Sequence, residues 1–216
     1  MDSFTSATDT LETAQLPDEA IAELSEIDRI FVNARTTRRF AATEVSDEVL
    51  ARAYDKARWA PTAMNSQPLR LLVVRTPQAR ERLAAHMSGN NRDNTLAAPV
   101  SLVVAADLDF HTNFDRLAPH MTDAVTEWRQ KPAQAHEAMA IPSTWLQMAY
   151  LILALRSEGL DVGPMTGFKA DGINQEFFAD NAWRTLAVLN VGYAAADEKV
   201  YPRAARLEFN EIARIV

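Results

Sequence analysis

Trp59-Ala60-Pro61-Thr62-Ala63-Met64-Asn65-Ser66-Gln67-Pro68 runs directly into Leu69-Arg70-Leu71-Leu72-Val73-Val74. An amphipathic helix ends near Trp59, a polar loop follows, and a continuous apolar run of strand length, Leu71 to Val74, takes over. Pro61 and Pro68 fix their own φ and push the residues before them towards extended geometry, so the loop is pinned at both ends. Thr62, Asn65, Ser66 and Gln67 are expected to face a ligand. The alternative is an ordinary connection in which Asn and Ser only make turns.

Upstream, Ser46 caps the helix that feeds this loop, with Asp47 and Glu48 in its first turn and Val49, Leu50, Ala53, Tyr54 and Ala57 on its inner face. A further helix is expected from Pro17, with Ile21, Leu24, Ile27, Phe31 and Ala34 at three- and four-residue steps. Between the two lies Arg35-Thr36-Thr37-Arg38-Arg39-Phe40, three arginines and two hydroxyls in six residues.

Downstream, Thr76-Pro77 opens a helix towards Met87. Gly89 to Asn94 reads as a polar loop, and Val100 to Ala106 as a second strand. Residues 110–132, with scattered aromatics, two histidines and two prolines, read as loop with short helices, an excursion of the kind that covers sites. His136 to Glu158 is apolar nearly all round. A helix of that character is buried centrally or in a subunit interface, with Pro142 starting or kinking it, and it is too polar at its ends to span a membrane. Gly159 to Phe168 reads as a sharp turn, Ile173 to Phe178 as a short helix, and Leu186 to Val191 as a third strand closed by Gly192-Tyr193. Arg203 and Arg206 stand in the tail.

The chain has 216 residues, 48% of them hydrophobic and 24% charged, which suits one domain. A leader over residues 1–16 precedes it, polar, acidic and expected to be disordered; it is no signal peptide, so a cytoplasmic location is expected. Net charge is -7, so general attraction to nucleic acid or anionic membrane is disfavoured and any anion must be held locally. There is no cysteine, which removes disulfides and thiolate chemistry; redox work would need a cofactor.

Only four of the 22 basic residues are lysines. Arginine's planar fork matches phosphate bidentately, and Arg-Thr-Thr-x-Arg could hold one phosphate, although a run of arginines after a helix also suits a solvated helix end. His86, His111, His120 and His136 lack metal spacing. Ser66 and Ser143 lack a nucleophile elbow. Gly163 to Gly167 has the wrong spacing, and a proline, for a dinucleotide fingerprint.

Four segments, Arg35 to Phe40, Pro61 to Pro68, Gly163-Pro164-Met165-Thr166-Gly167-Phe168 and the basic tail, fall in the order and at the separations of the flavin-dependent nitroreductase family, which the chain resembles over about residues 27 to 216. Within that family, Gly159 to Phe168, the long excursion and Gln147-x-Ala149-Tyr150-Leu151-Ile152 look most like the malonic semialdehyde (3-hydroxypropionate) reductase branch of pyrimidine breakdown. Asn65-Ser66-Gln67-Pro68 follows the commoner nitroreductase form instead.

The resemblance implies an α+β fold, a central mixed sheet flanked by helices, in a single domain over residues 17–216. It further implies an obligate homodimer built on the long buried helix, with one FMN per interface. Arg35, Thr36, Thr37 and Arg39 would meet the flavin with Arg203 or Arg206; Pro61, Thr62, Ala63 and Asn65 would come from the other subunit. Asn94 would lie near the ring, and Met165, Thr166 and Gly167 would pass along it. NADH or NADPH would be the co-substrate of a two-step reaction needing no side-chain nucleophile, with no metal, nucleic acid or membrane partner. The acceptor would be malonic semialdehyde or, alternatively, a nitroaromatic or quinone; a flavin-binding protein without turnover and a cofactor-free interaction module are the other classes. For a carboxylated acceptor one arginine is expected at the mouth, with Arg70, Arg92, Arg116 and Arg129 as candidates.

Overall fold

The computed structural model describes residues 25–216. The leader and the first part of the expected first helix, residues 17–24, lie outside the described residues; the remainder is the short helix α1 (Glu26–Asp28), capped by Ser25, which widens into a π turn over Arg29–Asn33.

α2 (Asp47–Ala57) begins where Ser46 Oγ accepts the amide of Val49, a cap of about 1 kcal/mol. It buries Ala53 and Ala57. β1 (Leu69–Val74) starts two residues earlier than its apolar run suggests. α3 (Pro77–Ala84) is capped by Thr76 with Pro77 in its first turn. α4 (Asn91–Ala97) forms inside what reads as a polar loop, because Thr95 and the capping Ala98 are buried, Asn91 is held by the carbonyl of Gly167, and Arg92 and Asp93 face out. β2 (Val100–Asp107) is buried at every residue.

The excursion holds a 3₁₀ turn over Phe110–Asn113, α5 (Phe114–Leu117) and α6 (Thr122–Arg129). α7 (Ala133–Ser157) starts well before Pro142, which sits inside it. Around the proline, Thr144 Oγ1 donates to the carbonyl of Ala140 at 2.8 Å. β3 (Asp161–Met165) stands where the glycines and proline read as a sharp turn. α8 (Ala170–Phe177) leads to β4 (Trp183–Gly192), and the tail carries α9 (Phe209–Ile212).

The sheet order is β1-β2-β4-β3, and neighbouring strands are antiparallel. Among the described residues, parallel pairing is confined to one bridge, Thr36 with Val162. One face of the sheet packs Leu102, Val104 and Leu189 against α2 and α7 through Ala53, Leu151 and Leu155; the other packs Val103 and Val188 against Leu83 and Ile173. Each buried aliphatic side chain of this kind contributes about 1.5–3 kcal/mol by leaving water.

α7 is long and apolar enough to cross a membrane by length and composition, but its packed face belongs to this core. Gln147, 1% exposed, accepts the amide of Leu69 on Oε1 at 3.0 Å and so ties the helix to the start of β1. The other face is also apolar yet open, with Trp145, Leu146 and Tyr150 exposed in this single chain.

Candidate functional site

The segment from Arg35 to Ala41 is held on two sides. Thr37 donates its amide to the carbonyl of Val162 at 3.2 Å, while Ala41 N donates to Tyr193 O and Ala195 N to Arg39 O. Glu198 reaches back from the tail, its two carboxylate oxygens accepting the amides of Arg38 and Arg39 at 3.1 and 3.0 Å. Tyr201 lies beneath the guanidinium of Arg38 and the ammonium of Lys199. Backbone pairing thus consumes the amides and turns side chains outward.

The result is a cavity of about 1020 Å³ between this segment, the π turn, the end of α7 and the tail. Arg35, Thr36 and Thr37 line it together with Arg203 and Arg206, residues from opposite ends of the sequence. Arg29, Arg38, Arg156 and Lys199 add further positive charge against Asp161 and Glu198. Glu198 is occupied by two amides and Asp161 by the amide of Ala194. Burial, then the neighbouring charges of Arg35 and Arg206, hold Arg203 below the ordinary guanidinium range. Burial likewise lowers Arg156, with Asp161 opposing it. Three arginines that repel one another, in a chain of net charge -7, have the chemistry to suit an anion.

The remaining sequence candidates fall into other groups. The guanidinium of Arg39 pairs with Asp197 at 2.9 Å, both largely exposed, and does not line the cavity. Pro61, Thr62 and Asn65 line a second cavity of about 530 Å³ with Trp59, Gln67 and Arg116, while the amide of Ala63 donates to Ser143 Oγ. Met64, Asn65 and Gln67 all have positive φ, of 54°, 53° and 43°, in a loop with no glycine. Such backbone is strained and persists only where its surroundings enforce it. Met64 is anchored against the Phe110 and Phe114 cluster, Asn65 Nδ2 donates to Leu117 O, and Gln67 Nε2 donates to Asn65 Oδ1.

The expectation that all four polar residues of this loop are free is corrected. Asn65 and Gln67 are engaged with each other, Thr62 Oγ1 accepts the amide of Gln67, and Ser66 is fully buried with its hydroxyl unpartnered.

Met165, Thr166 and Gly167 leave β3 beside α4, where the carbonyl of Gly167 accepts from Ser88 N and Asn91 Nδ2. A Cβ on Gly167 would come within 2.7 Å of that Asn91 nitrogen. Asn94 sits half-buried on α4 and its carbonyl takes the amide of Ala98. Within one chain these residues line neither cavity.

Sequence reasoning missed Arg156 and Glu198. Arg156 is a lone cation at the end of an apolar helix, a signal in itself; Glu198 carries none, since its role depends on the tail's path.

A family profile described as "Nitroreductase family" matches residues 32–193. A Stenotrophomonas maltophilia protein provisionally named as an NADH dehydrogenase/NAD(P)H nitroreductase is 40% identical over 89% of this chain and 97% of its own length. A Streptomyces coelicolor protein with the same provisional name is 42% identical over 84% and 86%. Among solved structures, a nitroreductase family protein from Streptococcus pneumoniae superposes with a TM-score of 0.77 at 24% identity, over 88% of this chain and all of that one. A provisional nitroreductase from Exiguobacterium sibiricum, solved in complex with FMN, gives 0.79 at 21% identity over 89% and 98%.

Proposed function

Because the chain belongs to the nitroreductase family, we propose that its basic cavity holds FMN and that it reduces a small acceptor at the expense of NAD(P)H. Family membership makes it an NAD(P)H-dependent oxidoreductase. The observation that carries the cofactor reading is the meeting of Arg35, Arg203 and Arg206 around one cavity. About 1020 Å³ suffices for a flavin mononucleotide, and the arginines suit its phosphate, the one doubly charged group it has.

When bound, FMN would supply the hydride chemistry that couples oxidation of NAD(P)H to reduction of the acceptor, which for an aldehyde would be uptake of a hydride and one proton to give an alcohol. The chain's own contribution is binding and electrostatics. Arg35, Arg203 and Arg206 would hold the phosphate, and Thr36 would offer its exposed hydroxyl to the adjoining chain. Met165, Thr166 and Gly167, with Asn94 nearby, would face the ring, and the positive cavity would favour an anionic reduced flavin.

In the proposed homodimer, the open apolar face of α7 would be covered by its counterpart, and Pro61, Thr62, Ala63 and Asn65 would complete the partner's site. The two groups lie apart within one chain, as such an arrangement requires. We place the protein in the cytoplasm. The specific acceptor we propose is malonic semialdehyde, supported by the Gly159 to Phe168 pattern; broad nitroaromatic or quinone reduction is the second reading, its nitro part supported by the nitroreductase names of the relatives.

The visible spectrum of the purified protein, before and after NAD(P)H under anaerobic conditions, tests the class. Flavin bands that bleach are expected; protein that stays colourless after incubation with FMN would overturn the proposal. Parallel turnover of malonic semialdehyde and a nitroaromatic then separates the two acceptors.

A further inference from the structure

Four arginines are candidates to meet a carboxylated acceptor, and the structure ranks them. Arg70 is committed to Asp107 at 2.6 Å, and Arg129 to Asp115 at 2.7 Å. Arg92 is exposed on α4 and lines neither cavity. Arg116 has no ion pair or hydrogen bond among the described residues, and it lines the second cavity.

Its position is fixed by the backbone beside it. Leu117, the next residue, accepts the side-chain amide of Asn65 at 2.8 Å, which fastens α5 to the strained loop. Asp115, its neighbour in sequence, is spoken for by Arg129, and Asp55, on the helix that ends at this cavity, by Arg58. Arg58, paired with Asp55, lines the same cavity and lies over the ring of the exposed Trp59. The cavity therefore offers an uncompensated guanidinium, a second guanidinium that carries an ion pair, and an apolar indole. That combination suits a small organic carboxylate whose carbon body lies along the indole.

We infer that Arg116, with Arg58 beside it, forms a subsite for the carboxylate of the acceptor, making it a specificity residue of the reaction. This rests on the oxidoreductase reading, in which Pro61, Thr62 and Asn65 of the same cavity meet the partner's flavin. The acceptor's charged end would then be held against the loop that faces the ring.

The test uses the flavin-loaded full chain and two acceptors that differ by one carboxylate, 4-nitrobenzoate and nitrobenzene. The Arg116→Ala variant should lower kcat/KM for 4-nitrobenzoate about 10- to 100-fold, with nitrobenzene nearly unchanged. Arg116→Lys should restore part of the loss, and Arg92→Ala should leave the ratio where it was. Calorimetric titration with benzoate and uncharged benzamide gives a readout independent of turnover. Benzoate binding that depends on Arg116, in protein that reduces neither acceptor, would uphold the subsite and sink the oxidoreductase reading. An unmoved ratio and unmoved benzoate affinity, in protein that reduces both, would sink the subsite and spare the enzyme.

Discussion

A Cβ placed on Gly163 would stand 2.3 Å from the carbonyl oxygen of Thr37. β3 can therefore lie beneath the arginine-bearing segment only because that residue has no side chain. The same close approach lets Thr37 N reach Val162 O, and the register it sets aims Arg35 and Thr36 into the cavity. Gly163→Ala should cost about 1–3 kcal/mol in stability through overpacking, and should weaken FMN binding because the cradle shifts with the backbone. Chemical denaturation and fluorescence titration with FMN check both; a variant unchanged in either would contradict the account.

Arg35→Ala should weaken FMN binding by about 10- to 100-fold, the loss expected when charge-assisted hydrogen bonds to phosphate disappear. The proposed dimer should persist, since the cavity that Arg35 lines is bounded by the end of α7 and not by Trp145, Leu146 or Tyr150 of its open face. Titration and sedimentation report the two quantities separately, and full retention of flavin would refute the assignment.

Gln147 is buried, and its side chain holds the amide of Leu69. Gln147→Leu should leave that amide unpaired at a cost of about 1–3 kcal/mol. The loss should appear in urea midpoints at unchanged slope; an equal or raised midpoint would show that water or another group replaces the bond.

His111 and His136 stack at 4.2 Å between ring centroids beneath the excursion, and Nδ1 of His111 is buried without a partner. Burial first, then the charge of His136, hold His111 below its ordinary value, with Arg129 adding slightly and Asp109 and the backbone of Leu108 opposing. A lowered folded-state value means that the unfolded chain binds the proton more readily. The stability contributed by neutral His111 is thus complete above about pH 6.5 and declines as pH falls through and below it. Thermal melts from pH 7.5 to 5.5 should show this decline, and His111→Phe should flatten it; the same slope in the variant would assign it elsewhere.

Leu146 is 50% exposed on the apolar face of α7 beside Trp145 and Tyr150. Leu146→Glu should shift the proposed dimer towards monomer and release flavin with it, because in the proposed arrangement each site would take the other subunit's loop. Sedimentation at micromolar concentration reads the first effect and absorbance the second. A dimeric, yellow variant would move the interface to another surface.

Local signals were legible in the chain. Ser46 and Thr76-Pro77 cap helices by interactions within four residues, and the apolar runs of β1 and β2 need no distant information. β3 was not legible, since Gly163 and Pro164 are turn residues by local rules. They are tolerated because β3 is an edge strand, where proline's missing N–H is affordable, and glycine is demanded by Thr37 across the bridge. α4 hid behind its polar composition. The arginines of the first cavity were visible as residue types, and the family resemblance named five of its lining residues, but Glu198 joins it only through the path of the folded tail, and Arg156 only through the packing of the end of α7.

The first cavity is made from both ends of the described chain, Arg35 to Thr37 on one side and Arg203 and Arg206 on the other, clasped by Glu198. The four strands of the sheet are complete by Gly192. A nascent chain released or cut after that point would have every strand and still lack two of the three converging arginines and the carboxylate that clasps the segment. On the proposed reading, uptake of FMN would therefore report that the segment through Arg206 is present and folded back onto Arg35 to Thr37.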